Sequence, residues 1–332
     1  MSRALRFLSA VVLLTAAAAC LRPAPTLEEA YQAARLAPAT PAVQVASWRE
    51  LLRHHPESPY TLEAADTLER LLAQELDRPG EVRDILQDLL ARVVEPRTRR
   101  GLQRRLARIL AVLKDAEGLR HLVAEVSGER TPGFGEFLAL LEASVDGEAW
   151  SLTLDLADRA LPLTTPEAYS AEFPDRGLEP GEVARITGRR RAMVLAARGR
   201  AQANLGNPDE ALATFAQAAA GAPRSYLGVL DPPLPRYWGL TLLEAGRPQE
   251  ALEQLAPAAL MGGDPDAMPA LREAFAATGH EDQEFERFSR QTREGLARTL
   301  EDFRLLEFDG RPFQLAQQAR DQVVLLTFWF PT

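Results

Sequence analysis

Covalent chemistry has few candidates in this sequence. Its 332 residues include one cysteine, Cys20, and four histidines. A lone cysteine leaves no internal disulfide. His54 and His55 are adjacent, so on a helix their rings diverge and cannot share a metal ion as a pair one turn apart would. His121 and His280 stand alone, and packed or surface histidines are the plainer reading of all four. No Ser-His-acid set, phosphate-binding glycine loop or zinc spacing occurs. The many Glu and Asp residues read as solvated helix faces, not as a paired-carboxylate catalyst. No metal or small-molecule cofactor is implied. What remains is non-covalent chemistry, carried by arginine. "RTRRGLQRRLAR" brings Arg97, Arg99, Arg100, Arg104, Arg105 and Arg108 together. That run fits either contact with anionic lipid or an acidic partner, or simply the charged face of an amphipathic helix. Gly188 to Arg191 is a weaker version of the same pattern.

The elements that must position these groups are helices. The composition is that of a globular chain, 46% apolar and 26% charged. Its net charge of −9 argues against general nucleic-acid binding, which depends on neutralising phosphates. Thr26 to Glu29 reads as a capping box that opens a helix. In "SPYTLEAADTLERLLAQEL" the residues Leu62, Ala65, Leu68, Leu72 and Leu76 fall on one helical stripe. "PGEVRDILQDLLARVV" and "LQRRLARILAVL" repeat that pattern, and from Thr26 to about Leu300 the chain reads as helix after helix. The short breaks at Pro and Gly imply antiparallel helix pairs.

A repeat lies inside this helical run. "GNPDEALATFAQAAAGAP" and "GRPQEALEQLAPAALMG" share the frame G-x-P-x-E-A-L. The segment from Ala192 to Ser225 resembles a tetratricopeptide repeat (TPR). Gly199, Ala211, Phe215, Ala218 and Pro223 stand at that motif's small, aromatic and terminating positions. The next copy supplies Gly239, Ala251, Leu255 and Ala258, after an insertion around "DPPLPR". A weaker copy covers Asp264 to Gln291, and "VASWRELLRHHPESP" resembles the second helix of another. Arg198 stands at a usually apolar position and Gln202 at a usually aromatic one. The resemblance implies a groove, lined by the first helix of each pair, that binds proteins or peptides. By motif position Arg200 and Arg236 would line it and grip a carboxylate, with ordinary surface arginine as the alternative.

The two ends carry other resemblances. "MSRALRFLSAVVLLTAAAAC" has Arg3 and Arg6, an apolar stretch and small residues before Cys20, as a secretory signal does. It resembles a bacterial lipoprotein signal, which implies lipidation at Cys20 and an envelope protein tethered to a membrane but not spanning it. Ala17 departs from the usual Leu, and a plain signal-peptidase site is the alternative. After Leu300 the period changes. Asp302 to Leu305, the turn Asp309 to Pro312, the return strand Pro312 to Gln314, and the apolar run Val323 to Trp329 follow in order. The series resembles the entry into a thioredoxin-like domain of the thiol–disulfide oxidoreductase or peroxiredoxin type. In that family a Cys-x-x-Cys motif would begin immediately after Thr332. The residues present hold no such centre, so the resemblance implies a fragment truncated before its redox motif. A UGA codon for selenocysteine read as stop, a cut chain, and a genuine terminal strand are the open explanations.

The expected fold class is mostly α, a TPR-like helical-repeat solenoid followed by a truncated α/β thioredoxin-like segment. Residues 1–19 are read as signal, 20–25 as lipidated tether, 26–161 as a helical-repeat block, 162–182 as a linker or long loop, 183–297 as TPR-like repeats and 298–332 as the thioredoxin-like fragment. Two functions compete. One is an exported, membrane-anchored TPR protein with a thiol or selenol redox domain. The alternative is a non-enzymatic envelope scaffold that binds protein partners through its TPR groove.

Overall fold

The computed structural model describes residues 24–129, 132–225, 228–297, 304–306 and 310–314. Fifteen α-helices dominate them. They come in consecutive pairs: α1 (Leu27–Arg35) with α2 (Pro41–His54), and α3 (Thr61–Glu69) with α4 (Pro79–Arg92). Next come α5 (Pro96–Val112) with α6 (Ala116–Glu129), and α7 (Phe134–Asp146) with α8 (Trp150–Ala160). A single short helix, α9 (Pro166–Glu172), precedes three further pairs. These are α10 (Pro180–Asn204) with α11 (Pro208–Gly221), α12 (Leu234–Glu244) with α13 (Pro248–Leu260), and α14 (Met268–Ala277) with α15 (Phe285–Leu296). Helices α2, α4, α5, α9, α10, α11 and α13 all begin on proline. Proline is pre-set for the first helical turn and lacks only an amide that would be unpaired there.

One turn joins the two helices of a pair, and it recurs. At Lys114, Glu148, Gly206 and Gly246 the backbone enters the left-handed region, with φ of 54°, 56°, 87° and 71°. In each case the next amide donates to a carbonyl five residues back: Asp115 to Leu110, Ala149 to Ser144, Asn207 to Gln202 and Arg247 to Leu242, at 2.8 to 2.9 Å. This bond closes the helix end and turns the chain into the partner helix. Asp77 (φ 52°) makes the same turn after α3, but its bond runs from Arg78 to Leu72, one residue further. The extra residue is absorbed by a π-helical stretch, Arg70–Glu75.

Counting from these turn residues puts the core in register. The residue five places on is Val82, Leu119, Thr153, Ala211 or Ala251, and all are buried. Nine places on stand Leu86, Val123, Ala157, Phe215 and Leu255, also all buried. Small residues admit close neighbours. A Cβ on Gly199 would lie 2.6 Å from the Phe215 ring, and one on Gly239 would lie 2.3 Å from Leu255 Cγ. Gln202, at the usually aromatic position, is buried and bonded: Thr214 Oγ1 donates to its Oε1 at 2.7 Å, and its Nε2 donates to Glu210 at 2.6 Å. Arg198 reaches Asp158 at 2.9 Å instead of packing inward.

Successive first helices pack on one another: α3 on α5, α5 on α7, α7 on α10, α10 on α12 and α12 on α14. Second helices pack chiefly on first helices. The first-helix layer is therefore the tighter, inner side of the stack.

The stretch 162–182, expected as a loop, carries a 3₁₀ turn (Leu161–Thr164) and α9. Arg190 of α10 fastens it. Its guanidinium pairs with Glu172 at 2.7 Å and lies 4.3 Å from the Phe134 ring centre and 4.8 Å from that of Tyr169. One apolar core joins the helices up to Ala160 with Val194 and Ala197 of α10, and Leu161 and Leu163 pack against it. Towards the end of the chain, β1 (Arg304–Leu306) pairs antiparallel with β2 (Pro312–Gln314), with Leu305 opposite Phe313. Gly310, at φ 82°, lies between them. The return strand Pro312–Gln314 stands where the sequence predicts it, while 302–303 and 307–309 lie outside the described residues. Cys20 and the apolar run 323–329 lie outside the described residues.

Candidate functional site

The middle of the inner face carries several polar groups that the fold leaves unused. In the turn register, the residue six places before the left-handed residue is Glu142 on α7 and Arg200 on α10. Two places before it are Asp146 on α7, Asn204 on α10 and Glu244 on α12. The α5 member of the six-place row is Arg108, held by Glu69 at 3.0 Å. Arg236 and Tyr237 start the same face of α12. Arg236, Lys114 and Asp266 bear electrostatically on Asp146, and Asp146, Glu142, Arg236 and Arg200 all act on Tyr237. These groups therefore share one region, which also receives the loop between α13 and α14.

The two arginines expected to grip a ligand lie there, but each has an acid from its own chain. Arg200 is 14% exposed and donates to Glu244 at 2.8 Å. Arg236 faces Asp264 at 3.4 Å and Asp266 at 3.6 Å and lies against the Tyr237 ring at 5.2 Å. Asp264 is only 4% exposed, yet its Oδ2 receives no hydrogen bond, and Arg236 Nε makes none. An incoming carboxylate would have to displace Glu244 or sit beside Asp264, which costs Coulomb energy in a partly desolvated place.

The carboxylates have no such partners. Lys114 Nζ bonds the Asp146 carbonyl oxygen at 2.9 Å and the Glu148 carboxylate at 2.6 Å, and so leaves the Asp146 side chain free. Neither the Glu142 nor the Asp146 carboxylate forms a hydrogen bond or ion pair among the described residues. Both reach solvent, but the surrounding wall crowds out enough water to hold each carboxyl above its ordinary pKa. For Glu142 the second cause is the Asp146 charge, one helical turn away. For Asp146, Arg236 and Lys114 offset part of the rise. Burial pushes the Tyr237 phenol up to about 12. Its hydroxyl also makes no hydrogen bond among the described residues.

Some other residues singled out in the sequence are absorbed by structure, while Arg97, Arg100 and Arg104 form no ion pair among the described residues. Arg99 reaches Glu125 at 2.5 Å, and Arg105 bridges Asp66 and Glu69. His54 meets Glu50 at 2.8 Å, and His55 meets the Pro25 carbonyl at 2.8 Å. Among the described residues no group of three His, Cys, Asp or Glu side chains could hold a metal ion. No helix there is long and apolar enough to cross a membrane. Glu142, Asp146 and Tyr237 were not visible as site residues in the sequence. The signal that could have found them is the turn register, which puts Glu142 on the Arg200 row.

No family model matches this chain, and no curated protein is significantly similar to it. Solved structures similar to it include YrrB, a TPR protein with an unusual peptide-binding site. It is 15% identical, with a TM-score of 0.36, and the match covers 71% of this chain and 100% of that one. Another is a tetratricopeptide repeat protein from Parabacteroides merdae ATCC 43184. It is 11% identical, with a TM-score of 0.30, covering 75% of this chain and 96% of the other. At these scores the superposition is loose. The TPR-like helical repeat is carried by the recurring turn, the buried rows and the Gly199–Phe215 and Gly239–Leu255 contacts.

Proposed function

We propose that this chain is a binding scaffold whose inner face, across α7, α10 and α12, takes a segment of a partner protein. The observation that carries this reading is the unused polar capacity there. Two carboxylates on α7 and a tyrosine hydroxyl on α12, without hydrogen-bond partners among the described residues, lie within electrostatic reach of one another, while most other charged groups of the stack are paired internally. A continuous layer of first helices suits an extended segment, which can meet one helix after another. A photoreactive residue placed at Asn204 on this face, and separately at Glu117 on α6, tests the reading. Cross-links to partner proteins from Asn204 and none from Glu117 are expected; the reverse pattern would refute it.

A second reading adds to this one. The antiparallel pairing of Arg304–Leu306 with Pro312–Gln314 is compatible with the resemblance to a thioredoxin-like entry. The signal-like residues before Cys20 favour export and a lipid tether in a bacterial envelope. On that reading the scaffold holds a client near a thiol or selenol redox domain. Metabolic labelling with radioactive palmitate tests the tether, with label on the wild type and none on C20A expected. Insulin reduction by the full natural gene product tests the redox domain, and inactivity of that intact product would remove it.

A further inference from the structure

We infer that the centre of the inner face accepts a basic side chain, lysine or arginine, of the partner segment. This inference rests on the scaffold reading above and names the chemistry of its site. The argument is one of charge complementarity. The cations in this region are each matched to an acid of the chain: Lys114 with Glu148, Arg200 with Glu244, and Arg236 with both Asp264 and Asp266. The row on α5 adds Arg108, itself held by Glu69. After that pairing the region keeps an excess of carboxylate, and Glu142 and Asp146 are the members with no ion pair among the described residues.

Buried Asp264 is an independent sign of the same deficit. It is turned towards Arg236, and its Oδ2 accepts no hydrogen bond. One arginine thus stands between two aspartates at 3.4 and 3.6 Å and leaves the buried Asp264 Oδ2 without a hydrogen bond. A second cation seated between α7 and α12 would face Glu142 and Asp146 at i and i+4, a spacing that lets two carboxylates meet one ammonium or guanidinium. The Tyr237 ring beside it supplies an aromatic wall for the aliphatic stem of such a side chain. Arg200 and Arg236 are already engaged, so an anionic segment would have to displace their own acids.

The test uses the full chain and three fluorescent nonapeptides in which alanine alternates with lysine, glutamate or glutamine, with binding read by anisotropy at 0.15 M salt. The lysine peptide is expected to bind wild type, to bind E117Q/D84N equally well, and to bind E142Q/D146N at least tenfold more weakly. The paired control removes two exposed acids away from the inner face, which separates a seat from diffuse attraction to a chain of net charge −9. Equal losses in both variants, no lysine-peptide binding, or equal binding of the glutamine peptide would each overturn the inference. A glutamate peptide that binds best and is lost in R200Q/R236Q would overturn the basic partner while leaving the scaffold standing. Circular dichroism confirms that each variant remains helical. Failure of the scaffold itself is read separately, from absent cross-links at Asn204.

Discussion

At the scale of residues, Glu142 and Asp146 carry a cost in stability that the proposed binding role would offset. Both carboxyls have pKa values raised in the folded chain. Between the unfolded and the folded pKa the native form binds more protons, so stability falls as pH rises through that window. At neutral pH each ionised carboxylate is therefore a small cost. E142Q is expected to raise stability by a few tenths of a kcal/mol, the size of a like-charge pair one turn apart on a helix. Thermal melts at pH 7 and at a pH below both pKa values check this, since the difference should vanish at the lower pH. Binding of a basic segment has the opposite sign. It is full above the raised pKa values and is lost as pH falls through them. The loss should begin at higher pH than for ordinary carboxylates, and a peptide titration against pH reads it directly.

At the scale of elements, the recurring turn and the glycine contacts hold the helix pairs together. G239A adds a methyl 2.3 Å from Leu255 Cγ, so helix α12 or Leu255 must move. Overpacking of this kind costs about 1–3 kcal/mol, and L255A should cost about 2–5 kcal/mol through its cavity. The double variant should lose less than the sum, because the new methyl fills part of the space left by Leu255. Urea unfolding of the four proteins gives the coupling. Glu148 holds a left-handed backbone that a glycine adopts without strain, and its ion pair with Lys114 is exposed. E148G is expected to stabilise by about 0.5–1 kcal/mol in the same assay.

These elements also show what could be read from the sequence. The C-terminal repeats were legible because Gly206 and Gly246 mark their turns and Gly199 and Gly239 their close contacts. The same turn earlier in the chain is made by Lys114 and Glu148, which are not turn residues by type, and by Asp77, which lacks the glycine of the G-x-P-x-E-A-L frame. Those copies read as helices without a repeat. The site was half legible. Arg200 and Arg236 were placed on the inner face, but their acids lie far along the chain, at Glu244, Asp264 and Asp266. No local pattern reveals such pairing, and so the unpaired carboxylates that remain were not legible either.

At the scale of the whole molecule, the chain is a stack in which each pair touches its neighbours. The prolines of 162–182 suggested a break there. Arg190 of α10 closes it by sitting against Phe134 of α7 and Tyr169 of α9 and pairing with Glu172, also of α9. The inner layer of first helices therefore continues from α7 into α10, and that continuity lets Glu142 and Asp146 face Arg236 and Tyr237. The central claim is that this layer is the binding face and that its middle takes a basic side chain. Amide hydrogen exchange with and without the lysine–alanine nonapeptide measures it most directly. The account predicts slowed exchange in α7, α10 and α12, absent in E142Q/D146N. Slowing confined to α6, α8 and α13, or to the arginine-rich α5, would contradict it.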